Sequence, residues 1–308
     1  MTEARQPCAI GLDVGGTKIA AGLVLKPSGQ VLQRRVIPTR PERGGDAVLD
    51  DVIALTGELL AEAARQWLEV LGIGVGMAEL VDRQGRITSA HTIGWQGLPV
   101  QSRLAELAPT VVEADVRAAA LAEAQFGAGQ EYRLFTYVTV GTGISTCLVQ
   151  AGRPYAGARG NALVLGSSPL TTQCHECGSV LTPVLEEIAA GPALVAQYNQ
   201  RVAPDRRLTR GEDVMAALAQ DDPVAAAVID QAGDALGVSV GWLVNVLDPD
   251  AVVVGGGLGL AGGRYWDRFV AATRQHIWAD NSRRLPIIPA ALGPDAGLIG
   301  AAAGVWLS

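Results

Sequence analysis

Cysteine, lysine, basic runs and long apolar runs are all scarce in this chain, and each shortage bears on a class of protein. Four cysteines (Cys8, Cys147, Cys174 and Cys177) in 308 residues are too few for a disulfide scaffold. Two lysines stand against 22 arginines, no Lys/Arg block exceeds a pair, and the formal net charge is −7. A nucleic-acid backbone finds no electrostatic footprint on such a chain. The longest apolar stretch, residues 235–247, ends at Asp248-Pro249-Asp250 and falls short of the roughly 18 residues of a membrane span. Eight residues, Glu3 and Arg5 among them, precede the first apolar segment at 9–12, which does not make a signal peptide. The expectation is a cytoplasmic protein that binds neither nucleic acid nor membrane.

Glycine, by contrast, is abundant. It supplies 38 of 308 residues, about 12% where roughly 7% is ordinary. The glycines gather in twos and threes beside apolar runs without forming low-complexity tracts. With 49% hydrophobic and 18% charged residues, the chain can build an extended core. At about 150 residues per domain, its length suggests two domains.

Residues 8–37 read as a β-meander: an apolar run, a break at Gly15-Gly16-Thr17-Lys18, a second run to Leu25, and a turn at Pro27-Ser28-Gly29. The glycines thus lie between two strands, whereas the Rossmann and Walker motifs place theirs between a strand and a helix. Residues 46–67 follow with helical periodicity and an acidic first turn, then a strand at 71–75, a turn at Asp82-Arg83-Gln84-Gly85, and a helix opened by Pro99. A strand at 110–113 leads to Asp115 and an alanine-rich helix over 117–126. Residues 134–150 repeat the opening design, with Gly141-Thr142-Gly143 between two β runs. Mostly helical segments follow, among them 212–219 and 223–247, the second capped from Asp221-Asp222. A strand at 251–254 then runs into Gly255-Gly256-Gly257, and a helix at 265–277, a strand at 287–288 and a final helix from Asp295 complete an α/β chain of two related lobes.

Hairpin glycines beside threonine and lysine present backbone N–H groups in a concave nest that attracts phosphate oxygens. Two such hairpins and a third glycine cluster point toward a polyphosphate ligand. Taken singly, each is also compatible with an ordinary tight turn, and Lys18 with a solvated surface charge.

In order and spacing, LDVGGTKIAAGLV, VGTGIS, LVNVLDPDAVVVGGGL and LGPDAGLIGAAAG resemble the motifs of the ROK family of sugar kinases and sugar-responsive repressors. The resemblance spans nearly the whole chain. It implies the actin-like ATPase (ribonuclease H-like) fold, with two lobes around a nucleotide cleft. The lobes would be residues 1–115, with the helix 295–308 packing back on them, and the larger 116–294. Room for the repressors' N-terminal helix-turn-helix is lacking, so the kinase branch matches better. The resemblance further implies that Asp13 lies near a magnesium ion and that Gly15, Gly16, Thr17 and Lys18 form a first phosphate loop. Gly141, Thr142 and Gly143 would form a second, and Gly255, Gly256 and Gly257 an adenosine-binding turn. Asp115 falls at the catalytic base, for which helix N-capping is the structural alternative. A homodimer is also implied.

The departures concern the phosphate acceptor. Ala114 and Arg117 replace the asparagines that usually flank the aspartate, LVLGS puts Val164 and Ser167 in place of a sugar-binding glutamate and a zinc-binding histidine, and His91 replaces an asparagine. Glu186 keeps the approximate place of a second sugar-binding glutamate, with one of an exposed Glu186-Glu187 pair on a helix as the alternative, and Glu79, His91, Asp115 and Glu186 are the candidate acceptor ligands. CHECGSVL lacks the family's third zinc cysteine, and Cys174, His175 and Cys177 are too crowded to complete four ligands, so structural zinc is not expected. The reading is an ATP- and Mg²⁺-dependent kinase acting on a hexose, aminosugar or cyclitol. Its rival is a catalytically inactive relative that binds ligand as a sensor.

Overall fold

A computed structural model describes residues 5–169, 172–173 and 176–307. The chain opens with β1 (Gln6–Val14), β2 (Lys18–Leu25) and β3 (Val31–Pro38), followed by α1 (Gly45–Arg65), β4 (Leu68–Met77), α2 (Val100–Ala105), β5 (Thr110–Ala114) and α3 (Asp115–Phe126). It continues through β6 (Leu134–Val140), β7 (Ile144–Gln150), β8 (Arg153–Pro154), the short β9 (Thr172–Gln173) and β10 (Val180–Leu181), then α4 (Glu186–Ala189), α5 (Gly191–Asn199), α6 (Gly211–Leu218) and α7 (Pro223–Leu247). β11 (Ala251–Gly255), α8 (Gly263–His276), β12 (Ile287–Pro289) and α9 (Ala296–Leu307) complete it.

Two five-stranded sheets carry one plan. The first has the order β3-β2-β1-β4-β5 and the second β12-β11-β6-β7-β8, which is the same order read from the other edge. In the first sheet β1 pairs antiparallel with β2 and parallel with β4. In the second, β11 pairs parallel with both β6 and β12. The echo between the two glycine hairpins is therefore an echo of whole sheets.

The chain divides into two compact units. One comprises residues 1–133, 147–162 and 291–308, the other 134–146 and 163–290. In the first, α1 turns Val48, Leu49, Val52 and Leu59 onto Ile10, Leu12, Ile19 and Leu23 of the meander. Its acidic start (Asp46) and basic end (Arg65) suit the helix dipole. α9 lies against β1, β4 and α3. In the second unit, Val228, Ile229 and Leu236 of α7 share a core with Val138, Val252, Val254 and Phe269.

Two local expectations change. The apolar run of 235–247 extends back through the alanines and valines after Pro223, so α7 is long and apolar enough to cross a membrane by length and composition. A share of 56% of that stretch is buried within the protein, which makes it a core helix. Of the Asp221-Asp222 pair expected to cap it, Asp222 does so, accepting from Val224 and Ala225 N–H. The helix after β5 begins at Asp115 rather than Arg117, with Ala114 in the N-cap position, so the N-capping alternative for Asp115 does not hold.

Candidate active site

Three strand ends of the first unit bring its candidate residues together. Asp13 lies near the end of β1, opposite Gly76 of β4. A side chain added at Gly76 would stand 3.7 Å from the Cα of Asp115, so Asp13 and Asp115 flank one glycine. Asp13 also rests on Gly297, where a Cβ would lie 2.6 Å from its carboxyl carbon. The start of α9 can approach the strand end only because that position has no side chain.

Both aspartates are displaced from the ordinary carboxylate range. Burial, opposed by Lys18 and reinforced by Asp295, pushes Asp13 up to about 6. Burial, then the charge of Asp13 and, less strongly, that of Glu79, pushes Asp115 up to about 7, against the Val116 amide and Arg117. Asp115 Oδ1 accepts the Val116 N–H at 2.6 Å. Arg117 opposes this rise by its charge, but its guanidinium is hydrogen-bonded to other groups. Its guanidinium donates to Glu113, to Gly160 O at 2.5 Å and to Val81 O at 2.6 Å. It replaces the asparagine of the resemblance with a buried staple joining three segments.

The first glycine turn closes through Gly15 N–H to Lys18 O at 3.0 Å. The buried Thr39 braces it from β3's end, donating its hydroxyl to Gly15 O at 2.5 Å and its N–H to Thr17 O at 3.0 Å. Thr17 and Lys18 are exposed. Glu79 is not open to an acceptor, because its carboxylate is occupied by Ser89 and by the backbone of His91, Thr92 and Ile93. The His91 side chain is exposed.

The second unit gathers the remaining glycines. Gly141 N–H donates to Gly143 O at 2.9 Å, and Gly191 N–H donates to Gly141 O at 2.8 Å. Gly256 has φ +82°, a left-handed conformation in which a side chain would also press on the Val140 backbone. Leu258 and Gly259 N–H groups anchor that turn on Val140 O at 3.0 and 3.1 Å. Gly141 faces Gly257 N, 4.0 Å from where a Cβ would be, and nothing lies within 4 Å of the place a Gly257 Cβ would take. The two glycine turns are neighbours with open space above the backbone. Glu186 accepts from Ile144 N–H at 2.7 Å and from the Ser167 hydroxyl at 3.1 Å, so it ties the second turn to the segment bearing Ser167.

Thr39 and the Arg117 staple carry no sequence signal, because their partners are backbone carbonyls of distant segments. Of the zinc candidates, Cys174 lies outside the described residues, as does the neighbouring His175, and Cys177 Sγ is 3.2 Å from Ser179 Oγ. No group of three or more His, Cys, Asp or Glu suited to a metal ion exists among the described residues.

Two sheets of one order, a glycine turn between the first two strands of each, and carboxylates at the strand ends define the actin-like ATPase class. Residues 9–306 match the ROK family, and the chain belongs to it. It is 31% identical to a glucokinase of Streptomyces coelicolor, over 95% of this chain and 96% of that one. It is 28% identical to an N-acetylmannosamine kinase of Escherichia coli, over 95% and 96% respectively. Among solved structures, a ROK glucokinase from Streptomyces griseus in complex with glucose and AMPPNP superimposes with a TM-score of 0.82 at 29% identity, covering 98% of this chain and 100% of that one.

Proposed function

We propose that this protein is an ATP- and Mg²⁺-dependent kinase that phosphorylates a hydroxyl of a sugar or sugar-like polyol, with Asp115 as general base. The observation that carries this reading is the Asp115 carboxyl, poised at about 7 at the first turn of α3 beside Asp13. A base works best with a pKa near the operating pH, and a carboxylate reaches that range only through burial and like charge.

The residues fit the nucleotide and its cation. Asp13, Asp115 and Glu79 concentrate negative charge, opposed by Lys18 at Asp13 and by Arg117 at Asp115, while Asp295 beside them pairs with Arg34 at 2.6 Å. Mg²⁺ is held by one or two carboxylates and completes its octahedron with waters and substrate phosphates. Asp13 would hold it. The turns at 15–18 and 141–143 would hold phosphates through backbone N–H groups, and the open backbone at Gly257 would admit the nucleoside. Bound MgATP supplies the phosphoryl group and neutralises charge on its oxygens. Asp115 accepts the acceptor hydroxyl's proton, while Thr39 and Glu186 fix the two turns. The acceptor is a hexose, aminosugar or cyclitol, and the protein works in the cytoplasm as a homodimer, a state that sedimentation tests directly.

ADP release measured across a panel of sugars, aminosugars and cyclitols tests the reading. Turnover on at least one acceptor is expected. Silence across the panel, with tight ligand binding retained, overturns it in favour of a non-catalytic sensor, the reading favoured by Val164 and Ser167 in the acceptor segment.

A further inference from the structure

Glu79 follows β4 by two residues and is 6% exposed, yet it forms no ion pair among the described residues. Its partners all come from one loop. Oε1 accepts the N–H groups of Thr92 and Ile93, both at 2.7 Å. Oε2 accepts the His91 N–H at 2.9 Å and the Ser89 hydroxyl at 2.5 Å. Ser89 Oγ in turn accepts from Leu80 N–H at 2.8 Å. Three consecutive amides converging on one anion form a nest, a geometry that ordinarily captures an external anion. Here the chain supplies the anion itself. Four donors fill the roughly four lone-pair positions of a carboxylate, which leaves none for a sugar hydroxyl.

The loop so built reaches the phosphate turn. Thr92 Cγ2 lies 2.6 Å from where a Cβ on Gly16 would be, so the loop packs directly onto the first glycine turn. Its far end is pinned by Trp95, whose indole N–H donates to Gly45 O at 2.9 Å.

We infer that Glu79 is a positioning residue: its carboxylate is the internal anion that builds the loop over residues 89–93 and seats it on the Gly15-Gly16 turn beside Asp115. Although burial acts to raise it, the Ser89 hydroxyl and the three amides hold the Glu79 carboxyl below its ordinary range, so the anion is permanent at neutral pH. Its charge joins that of Asp13 in raising Asp115, while Arg117 opposes both. The kinetic part of this inference rests on the kinase reading, and the structural part does not.

Glu79→Gln keeps the size of the side chain while removing its charge and its second acceptor oxygen. Amide hydrogen exchange is expected to accelerate tenfold or more at residues 91–93, and measurably at 15–18, with the rest of the first unit unchanged. In kinetics, kcat/KM for the acceptor falls at least tenfold, and its acidic limb moves to lower pH by several tenths of a unit. In Glu79→Ala, formate, small enough to enter the vacated nest, raises the melting temperature and restores part of the activity, and has neither effect on the wild type. Unchanged exchange at 91–93 in the glutamine variant, or formate without effect on the alanine variant, overturns the clasp. Uniformly faster exchange throughout the first unit reduces Glu79 to a stability residue and overturns the positioning role. If the wild type is silent on every acceptor, the kinase reading fails by itself, and exchange at 91–93 and 15–18 together with the formate response still decides the role of Glu79.

Discussion

At the scale of single residues, Asp115 makes the sharpest demands. A folded-state pKa of about 7, above the ordinary 3.8, means that folding favours the protonated acid. Its stabilising contribution is therefore complete below about pH 4 and lost as pH rises through 7, just where catalysis needs the anion. Asp115→Asn is expected to lower kcat by several orders of magnitude with nucleotide affinity within a few-fold. The same change should raise the stability of the magnesium-free protein at pH 8 by about 1–2 kcal/mol, a fraction of what three pKa units represent. Thermal melts and single-turnover kinetics read the two effects, and near-normal turnover removes Asp115 from the base role. In the wild type, kcat/KM for the acceptor should rise with pH to a plateau as Asp115 loses its proton, with the limb at lower pH than the metal-free protein's titration because a bound cation favours the anion. Asp13 and Asp115 were legible in the sequence because each sits at a strand end inside a recognisable motif. Thr39 and Arg117 were not legible in their actual roles, since each is defined by backbone groups of segments far away in the chain, and Glu79 was not because the amides that fill its carboxylate carry no residue signature.

At the scale of elements, glycine has two uses, and only one could be read from sequence. The turns at 15–16, 141–143 and 255–257 announced themselves by interrupting β runs. A second set permits close packing. Gly233, Gly237 and Gly241 form a stripe along α7 that receives α8, and a Cβ at Gly237 would stand 2.5 Å from that of Ala272 and 2.7 Å from Phe269 O. Gly237→Val should therefore cost about 1–3 kcal/mol in denaturant unfolding, as overpacked cores do. Gly74 of β4 is tighter still, because its Cβ would overlap the Ala301 carbonyl of α9. Gly74→Ala is expected to dislodge that helix, and limited proteolysis near residue 296 should show it. Helix-facing glycines look like any others in sequence, because the partner that makes them necessary is more than 30 residues away or arrives at the end of the chain. Helix limits were legible to within a few residues. The true start of α3 matters more than its size suggests, since it places Asp115 inside the helix's first turn.

At the scale of the whole molecule, a matching hairpin in two places is the visible trace of two sheets with one strand order. Little of that duplication survives in side chains. Apolar character is all a buried strand must preserve, while a glycine turn must preserve its residues. Acidic sites add a global prediction. With Asp13 raised to about 6 and Asp115 to about 7, magnesium-free protein should lose thermal stability between pH 4 and 7. Millimolar Mg²⁺ with nucleotide should flatten that slope, and a pH series of melts with and without them checks both.

The packing of α9 on β1 and β4 has a consequence for synthesis. The helix that packs on β1 follows it by about 280 residues, a delay of roughly 15–60 s at ordinary translation speeds of about 5–20 residues per second. Through that interval α3 covers only the β4–β5 side of that face, and the part over β1 and β4 that α9 occupies stays bare. Growth conditions that slow the ribosome should therefore shift this protein from soluble to aggregated yield more than they shift a protein whose sheets are covered by adjacent helices.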